Sequence, residues 1–416
     1  MRVFAENYRG FKFVEIDTNK VNLLVGDNSC GKSSLIYLVE TVLKDDLNDI
    51  PRFNDDFSID DFDYFSPYSD YNDVTFGIKA PIGTRYAKIV TVHRREAKVP
   101  ELVRCTFFYN NDYVSFRKNG NSIERRNGKV SNYETDNLIL LHNGNENFKS
   151  VNLQDSVSIS EPVAIFSTSS GKSADKDKII FRAALDNIAY DARVVSPLRA
   201  LPEKYYTFKR RMNAHGKHFA SLWYDFAGSE NNPNFKDINK FGMESGLYDS
   251  INVKKIANEI EDSPLVVTVK RSGKEFLLNQ VGIGVSQVVP VLIDTMYSMH
   301  FGNPSLLMQQ PELHLHPVAQ AALGTYLAEC SFKGLRPVIE THSSYLIDRV
   351  RAEIRDFEES ELKPKHKKFD AEIIFCEKIS SGNKATHIPI LDDGTLEDAP
   401  DSYHEFFVEE LVRTMF

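Results

Sequence analysis

The stretch Gly26-Asp27-Asn28-Ser29-Cys30-Gly31-Lys32-Ser33 sets two glycines, a lysine and a hydroxyl at the spacing GxxxxGK[ST]. Side chains of these types at this spacing hold phosphate. The glycines let successive backbone N–H groups curl around phosphate oxygens, the lysine reaches the β and γ phosphates, and the serine hydroxyl can ligate Mg²⁺. Asn28, Ser29, Cys30, Gly31, Lys32, Ser33 and Ser34 are therefore the candidate contacts to ATP, with Ser33 the Mg²⁺ ligand. A chance glycine turn carrying Lys-Ser is the competing reading. The flanks disfavour it, because VNLLVG reads as a short buried strand and SSLIYLVETVL as a helix, the order that a P-loop requires. Gly171-Lys172-Ser173 repeats the last three letters, but Phe166 stands where the first glycine belongs, and this copy reads as a solvated loop.

A second constellation is Leu306-Leu307-Met308-Gln309-Gln310-Pro311-Glu312, an apolar strand with a polar end. At such a strand end a P-loop ATPase places an acid that steadies Mg²⁺, followed by a residue that polarises the attacking water. Here both positions are glutamine. Gln309 can approach Mg²⁺ only through a water, and Gln310 can hydrogen-bond a water without accepting its proton, so slow hydrolysis is expected unless Glu312 or a partner subunit helps. The chain is then either a natural weak ATPase or one in which a carboxylate has been exchanged. For Glu312 itself, a role in the site and an exposed residue after proline are equally open.

Three weaker signals surround these. Gly282-Ile283-Gly284-Val285-Ser286-Gln287 precedes a helical stretch, so Gly284, Ser286 and Gln287 offer a second phosphate grip. Thr341-His342-Ser343 ends a strand, where a lone histidine is more often structural than chemical. His314 and His316 stand as HxH beside Glu312 and before Pro317, unlike the HExxH of a zinc helix, and read better as a contact loop between subunits.

The elements that must position these residues follow from hydrophobic period. Strand-like alternation returns in VTFGIKAPI, YAKIVTVHR, LVRCTFFYN and YVSFRKNG, which read as an antiparallel lobe. Residues 207–260 read as mostly helical, and from VSQVVPVLIDTMYSM onward helices and strands alternate, as in a sheet flanked by helices. The expected division is 1–206 with the phosphate loop and β lobe, 207–264 as a helical insertion, and 265–416 with the second half of the site. The fold class is α/β, a P-loop NTPase.

Composition narrows the function classes. With 42% hydrophobic and 26% charged residues the chain should fold, and a net charge of −9 gives no global attraction to nucleic acid. Cys30, Cys105, Cys330 and Cys376 lack CxxC spacing, which points to a reducing compartment. No run approaches the ~20 apolar residues of a membrane span, so a cytoplasmic protein without membrane contact is expected. Asp392-Asp393 before Gly394 reads as a turn.

Together VNLLVGDNSCGKSSLI, VGIGVSQVVPVL, LLMQQPELHLHPVAQ and VIETHSSYLIDRVR resemble the ATP-binding-cassette class of ATPase heads, in the branch of RecF, Rad50 and the overcoming-lysogenization-defect proteins. SPLRALPEKYY is similar to a segment of the last of these. The resemblance implies that two heads sandwich ATP, with Ser286 touching the γ-phosphate held by the partner's Lys32 and His342 acting as the switch histidine. It places Gln309 at the Walker B acid position and Gln310 at the catalytic-carboxylate position. Gln154 is the sole candidate switch glutamine before Gln280, and the stretch after His342 is too short for the Toprim nuclease domain of the lysogenization-type proteins.

The leading function is an ATP-sensing, homo-oligomeric component of bacterial antiphage defence that works with a separate effector such as a nuclease, an assignment resting on the resemblance. The alternative is a DNA-repair or chromosome-associated clamp, with Lys209-Arg210-Arg211 and Lys363 to Lys368 as phosphate contacts. A third reading, a nucleotide-locked scaffold, is favoured by the glutamine pair. A transporter subunit fits less well.

Overall fold

The computed structural model describes residues 1–43, 73–82, 84–95, 100–120, 122–129, 149–150, 192–207, 214–227, 233–257, 263–301, 305–359 and 369–407. The segment 45–70, Gln154, the 171–173 sequence, 178–191 and both basic runs lie outside them. In chain order the strands are β1 (Arg2–Tyr8), β2 (Phe11–Asp17), β3 (Val21–Gly26), β4 (Asp73–Ile82), β5 (Arg85–Arg95), β6 (Pro100–Tyr109), β7 (Asp112–Asn119), β8 (Ser122–Lys129), β9 (Lys149–Ser150), β10 (Arg193–Val195), β11 (Ser250–Lys255), β12 (Leu265–Arg271), β13 (Lys274–Leu277), β14 (Ser305–Gln309), β15 (Arg336–Glu340), β16 (Ala371–Ile379) and β17 (Gly382–Ile390). The helices are α1 (Lys32–Leu43), α2 (Phe219–Ala227), α3 (Pro233–Glu244), α4 (Ile283–His300), α5 (Pro317–Phe332) and α6 (Ser344–Glu359).

The chain divides into two compact units. One comprises the described parts of 1–17, 37–191 and 378–385, and the other those of 18–36, 192–377 and 386–416. In the first, β1 pairs antiparallel with β2 and β4, and β4 to β9 continue as a meander of antiparallel neighbours. This is the antiparallel lobe that the alternation implies. Its core includes Phe4, Val90, Phe108 and Tyr113, and it also buries the amine of Lys88 at 4.4 Å from the Phe4 ring centroid.

The second unit holds a parallel sheet in the order β10-β14-β15-β3-β16. Every residue of β3 is buried, as a central parallel strand covered on both faces demands, and this explains its unbroken apolar run. Helices α4 and α5 contribute long buried faces to the same core, from Val285 to Met296 and from Ala319 to Cys330. Pro290 sits inside α4, so the Ser286 carbonyl lacks its usual i+4 amide partner. Within the stretch read as mostly helical, α2 and α3 are present, but 250–255 is a strand. β11 joins β12 and β13 in a small antiparallel sheet, its alternating Ile251 and Val253 turned into the core.

The strand order has one consequence for function. β15 lies between β3 and β14, so the carboxyl ends of three strands meet where ligands bind in parallel α/β sheets.

Candidate functional site

The loop from β3 to α1 has the conformation its glycines allow. Gly26 has φ +139°, and a Cβ there would lie 1.9 Å from the Cys376 carbonyl oxygen, so only glycine fits. Ser29 and Gly31 also take positive φ, at 63° and 103°. Such turns bring successive amides to one concave side, the shape that receives an anion. The Lys32 side chain is buried, and its Nζ donates to the carbonyls of Gly26 at 2.9 Å and Asp27 at 2.6 Å. The ammonium thus spans the loop mouth. The Cys30 thiol is pulled down to about 7, first by a hydrogen bond with Cys376, with burial opposing and Lys32 assisting.

Ser33, the second helical residue, points its hydroxyl across to β15. Its Oγ donates to Glu340 Oε2 at 2.8 Å and lies 3.0 Å from Oε1. Glu340 ends β15 and is 5% exposed. Burial pushes its carboxyl up, while Ser33 and Lys32 pull it down. In register it stands beside Gln309 of β14 on one side and Leu24 of β3 on the other. Gln309 is also buried, one strand farther from the loop. Gln310 has left-handed φ of 45°, and its amide donates to the Glu340 carbonyl at 2.8 Å, which fixes the two strand ends together.

Glu312 is not the exposed residue after proline that one sequence reading allowed. It is 6% exposed, in a turn that folds back under β15. Its Oε1 accepts from Thr341 Oγ1 at 2.8 Å and from the His342 amide at 3.0 Å, and its buried Oε2 has no hydrogen-bond partner among the described residues. Burial raises this carboxyl against the pull of those donors and of Arg199. Arg199 is itself buried, with only long contacts of 3.4 Å from Nη1 to the carbonyls of Ser196 and Gln310, and with Nε and Nη2 unpartnered among the described residues. Desolvation lowers its guanidinium to about 10. His342 keeps its side chain at the surface of this cluster, its imidazole lowered by partial burial and by Lys32.

The remaining candidates take structural bonds within one chain. Gly282 caps α4, and a Cβ on Gly284 would meet the His314 carbonyl oxygen at 2.8 Å, so this helix start is seated on the turn after β14. Ser286 Oγ donates to the Ile283 carbonyl at 2.9 Å and Gln287 Nε2 to the Ala200 carbonyl at 3.2 Å. His316 is the N-cap of α5, its Nδ1 accepting from the Ala319 amide. No group of three or more metal-ligating side chains occurs among the described residues. Asp393 forms the expected turn, its Oδ1 accepting from the amide and hydroxyl of Thr395.

The structure therefore joins Lys32, Ser33, Glu312 and His342 with two residues that the motif reading did not single out, Glu340 and Arg199. The signal for Glu340 was present as an acid ending the apolar run RPVIE, but only the strand order brings it to Ser33.

A parallel sheet with a phosphate loop at β3 and a second polar strand end one strand removed defines a P-loop ATPase. Residues 1–347 match the AAA ATPase domain, so the chain belongs to that family and is an ATPase. Among curated proteins none matches. Similar solved structures are of low identity. The SmcHead bound to the C-winged helix domain of ScpA superposes with a TM-score of 0.52 at 10% identity, covering 94% of this chain and 97% of that one. The SMC head domain from Thermotoga maritima gives 0.42 at 9% identity, covering 93% and 97%. The Smc head of Pyrococcus furiosus with an extended coiled coil gives 0.41 at 11%, covering 99% and 98%. No helix among the described residues is long and apolar enough to cross a membrane.

Proposed function

We propose that the chain binds ATP with Mg²⁺ in the loop 26–34, turns it over slowly, and uses the bound nucleotide to hold two heads together as a sensor or scaffold for a separate effector, a nuclease in bacterial antiphage defence. The preformed loop with Lys32 across its mouth carries the reading, since its ammonium is held where a phosphate would take over from the two carbonyls. Ser33 Oγ and the Glu340 carboxylate are hard oxygen donors at one place, a donor set that fits Mg²⁺. When bound, Mg²⁺ would neutralise phosphate charge.

The chain's own residues account for slow turnover. Gln310 can orient a water but cannot take its proton. Glu312 is the carboxylate left to act as base, and its buried, unpartnered Oε2 suits that task. Gly282 and Ile283 leave the start of α4 exposed to a second copy, whereas Ser286 and Gln287 are buried and tied back to their own chain, so a contact from Ser286 to a partner's nucleotide would require its hydroxyl to leave the Ile283 carbonyl.

The likeness to an SMC head bound to a winged-helix domain favours a second reading, in which the head engages a separate partner protein. ATP binding, phosphate release and mass in solution, for wild type and Lys32→Ala, test the first. Nucleotide-dependent dimers lost in Lys32→Ala support it, and absence of ATP binding in wild type sinks it.

A further inference from the structure

We propose that Glu340, on the strand between the phosphate loop and the strand bearing Gln309, is the metal-side carboxylate of this ATPase, standing in for the acid that position 309 lacks. The inference rests on the reading of loop 26–34 as the ATP site.

Three observations carry it. First, a serine hydroxyl that gives its lone pair to a cation must direct its proton to an acceptor, and Ser33 directs its proton to Glu340 at 2.8 Å. Second, the glutamines at 309 and 310 are neutral, and Glu312 has Oε1 committed to Thr341 and His342, so Glu340 is the acid bonded to the candidate ligand. Third, Glu340 is a buried anion whose side chain has one hydrogen-bond partner among the described residues, a neutral hydroxyl. Burial with so little compensation raises its carboxyl, and a cation arriving beside it would hold it ionised. Lys32 is near enough to lower its carboxyl, but the Lys32 amine bonds Gly26 and Asp27 instead.

The register explains the displacement. Glu340 pairs with Leu24 of β3 and with Gln309 of β14, so the acid is moved sideways by one strand toward the loop, with its side chain on the same face. At this shorter range it acts on the cation through the serine, or through a metal-bound water, and leaves position 309 free to be uncharged.

The test measures ATP affinity of the full chain by calorimetry with Mg²⁺ and with EDTA, and Mn²⁺ binding by electron paramagnetic resonance in the presence of ATP, for wild type, Lys32→Ala, Glu340→Gln and Glu340→Asp. In wild type Mg²⁺ should tighten ATP, and Glu340→Gln should weaken that gain by about tenfold or more, with no loss of affinity in EDTA, where the carboxylate only repels phosphate. Ordered Mn²⁺ should be lost in parallel. Should Glu340→Gln fail to fold, Glu340→Asp withdraws the carboxylate by one methylene and should also lose most of the gain. Either variant keeping the full wild-type gain overturns the proposal, as does a wild type that binds ATP equally in EDTA. Failure of wild type to bind ATP, or undiminished binding by Lys32→Ala, would instead remove the nucleotide site beneath it.

Discussion

Replacing Glu312 by alanine separates what this carboxylate holds up from what it does. In the structure its Oε1 accepts from the Thr341 hydroxyl at 2.8 Å and the His342 amide at 3.0 Å, and its charge opposes that of buried Arg199. Alanine strands the hydroxyl, leaves the amide to whatever water the exposed His342 admits, and removes the anion facing the guanidinium. A stranded buried donor costs about 1–3 kcal/mol, and Arg199, which makes no direct ion pair with Glu312, adds little. The expected total is about 2–3 kcal/mol. For a folding unit of this size that corresponds to a fall in melting temperature of roughly 5–10 °C. Glu312→Gln keeps an acceptor in the Oε1 place and removes only the charge, so it should lose about 1–2 kcal/mol. The assay is thermal and urea unfolding at neutral pH without nucleotide, with phosphate release measured on whatever remains folded. If Glu312→Ala melts with wild type, the reasoning about its buried bonds is wrong. If Glu312→Gln is folded and releases phosphate at the wild-type rate, Glu312 is not the base.

Gln309→Glu would set a second carboxylate beside Glu340 in register. At ~5 Å and an effective dielectric near 20 their repulsion is about 3 kcal/mol, so the melting temperature should fall in EDTA, recover with Mg²⁺, and phosphate release should rise. Unchanged melting in EDTA would place the new side chain elsewhere. Lys88 tests the β lobe: burial lowers its amine from 10.5 to about 7, so its folded form repels a proton that the unfolded form binds. Stability is then full above about pH 10.5 and is lost as pH falls through about 7, by an amount on the order of 5 kcal/mol. Lys88→Met should raise the melting temperature of this lobe at pH ~6 and leave it unchanged near pH ~10.5, and a pH-independent gain would refute the cause. Gly26→Ala, with a Cβ 1.9 Å from the Cys376 oxygen, should lose nucleotide binding and lower the melting temperature together, and normal ATP affinity in that variant would show that the β3–β16 pair can spread.

The phosphate loop was legible because its chemistry is local. Glycine, lysine and serine act within eight residues, and the flanking strand and helix announce themselves by period. The sheet flanked by helices and the antiparallel lobe followed for the same reason. What sequence spacing does not carry is lateral order. Nothing in RPVIE says that its last residue lies beside Ser33, 307 positions away, because that depends on β15 entering between β3 and β14. Glu312 was undecided because Pro-Glu after a strand has the composition of a surface turn, whereas here the turn folds inward and the acid satisfies the next strand's end. The strand at 250–255 was read as helix because SINVKK is too short and too charged for its period to show.

The end of β15 also joins parts of the second unit that the chain keeps far apart. Within four residues, Glu340 grips Ser33 on α1, Thr341 and His342 grip Glu312 after β14, and Ser343 Oγ donates to Gln320 on α5 at 2.6 Å. These residues form a common pin through three elements. A shift of Ser33 cannot stay at the serine: it must stretch a bond to Glu312, slide the start of α5, or be absorbed by the pin itself. The same few side chains that define the pocket therefore set how stiffly the rest of this unit feels what occupies it.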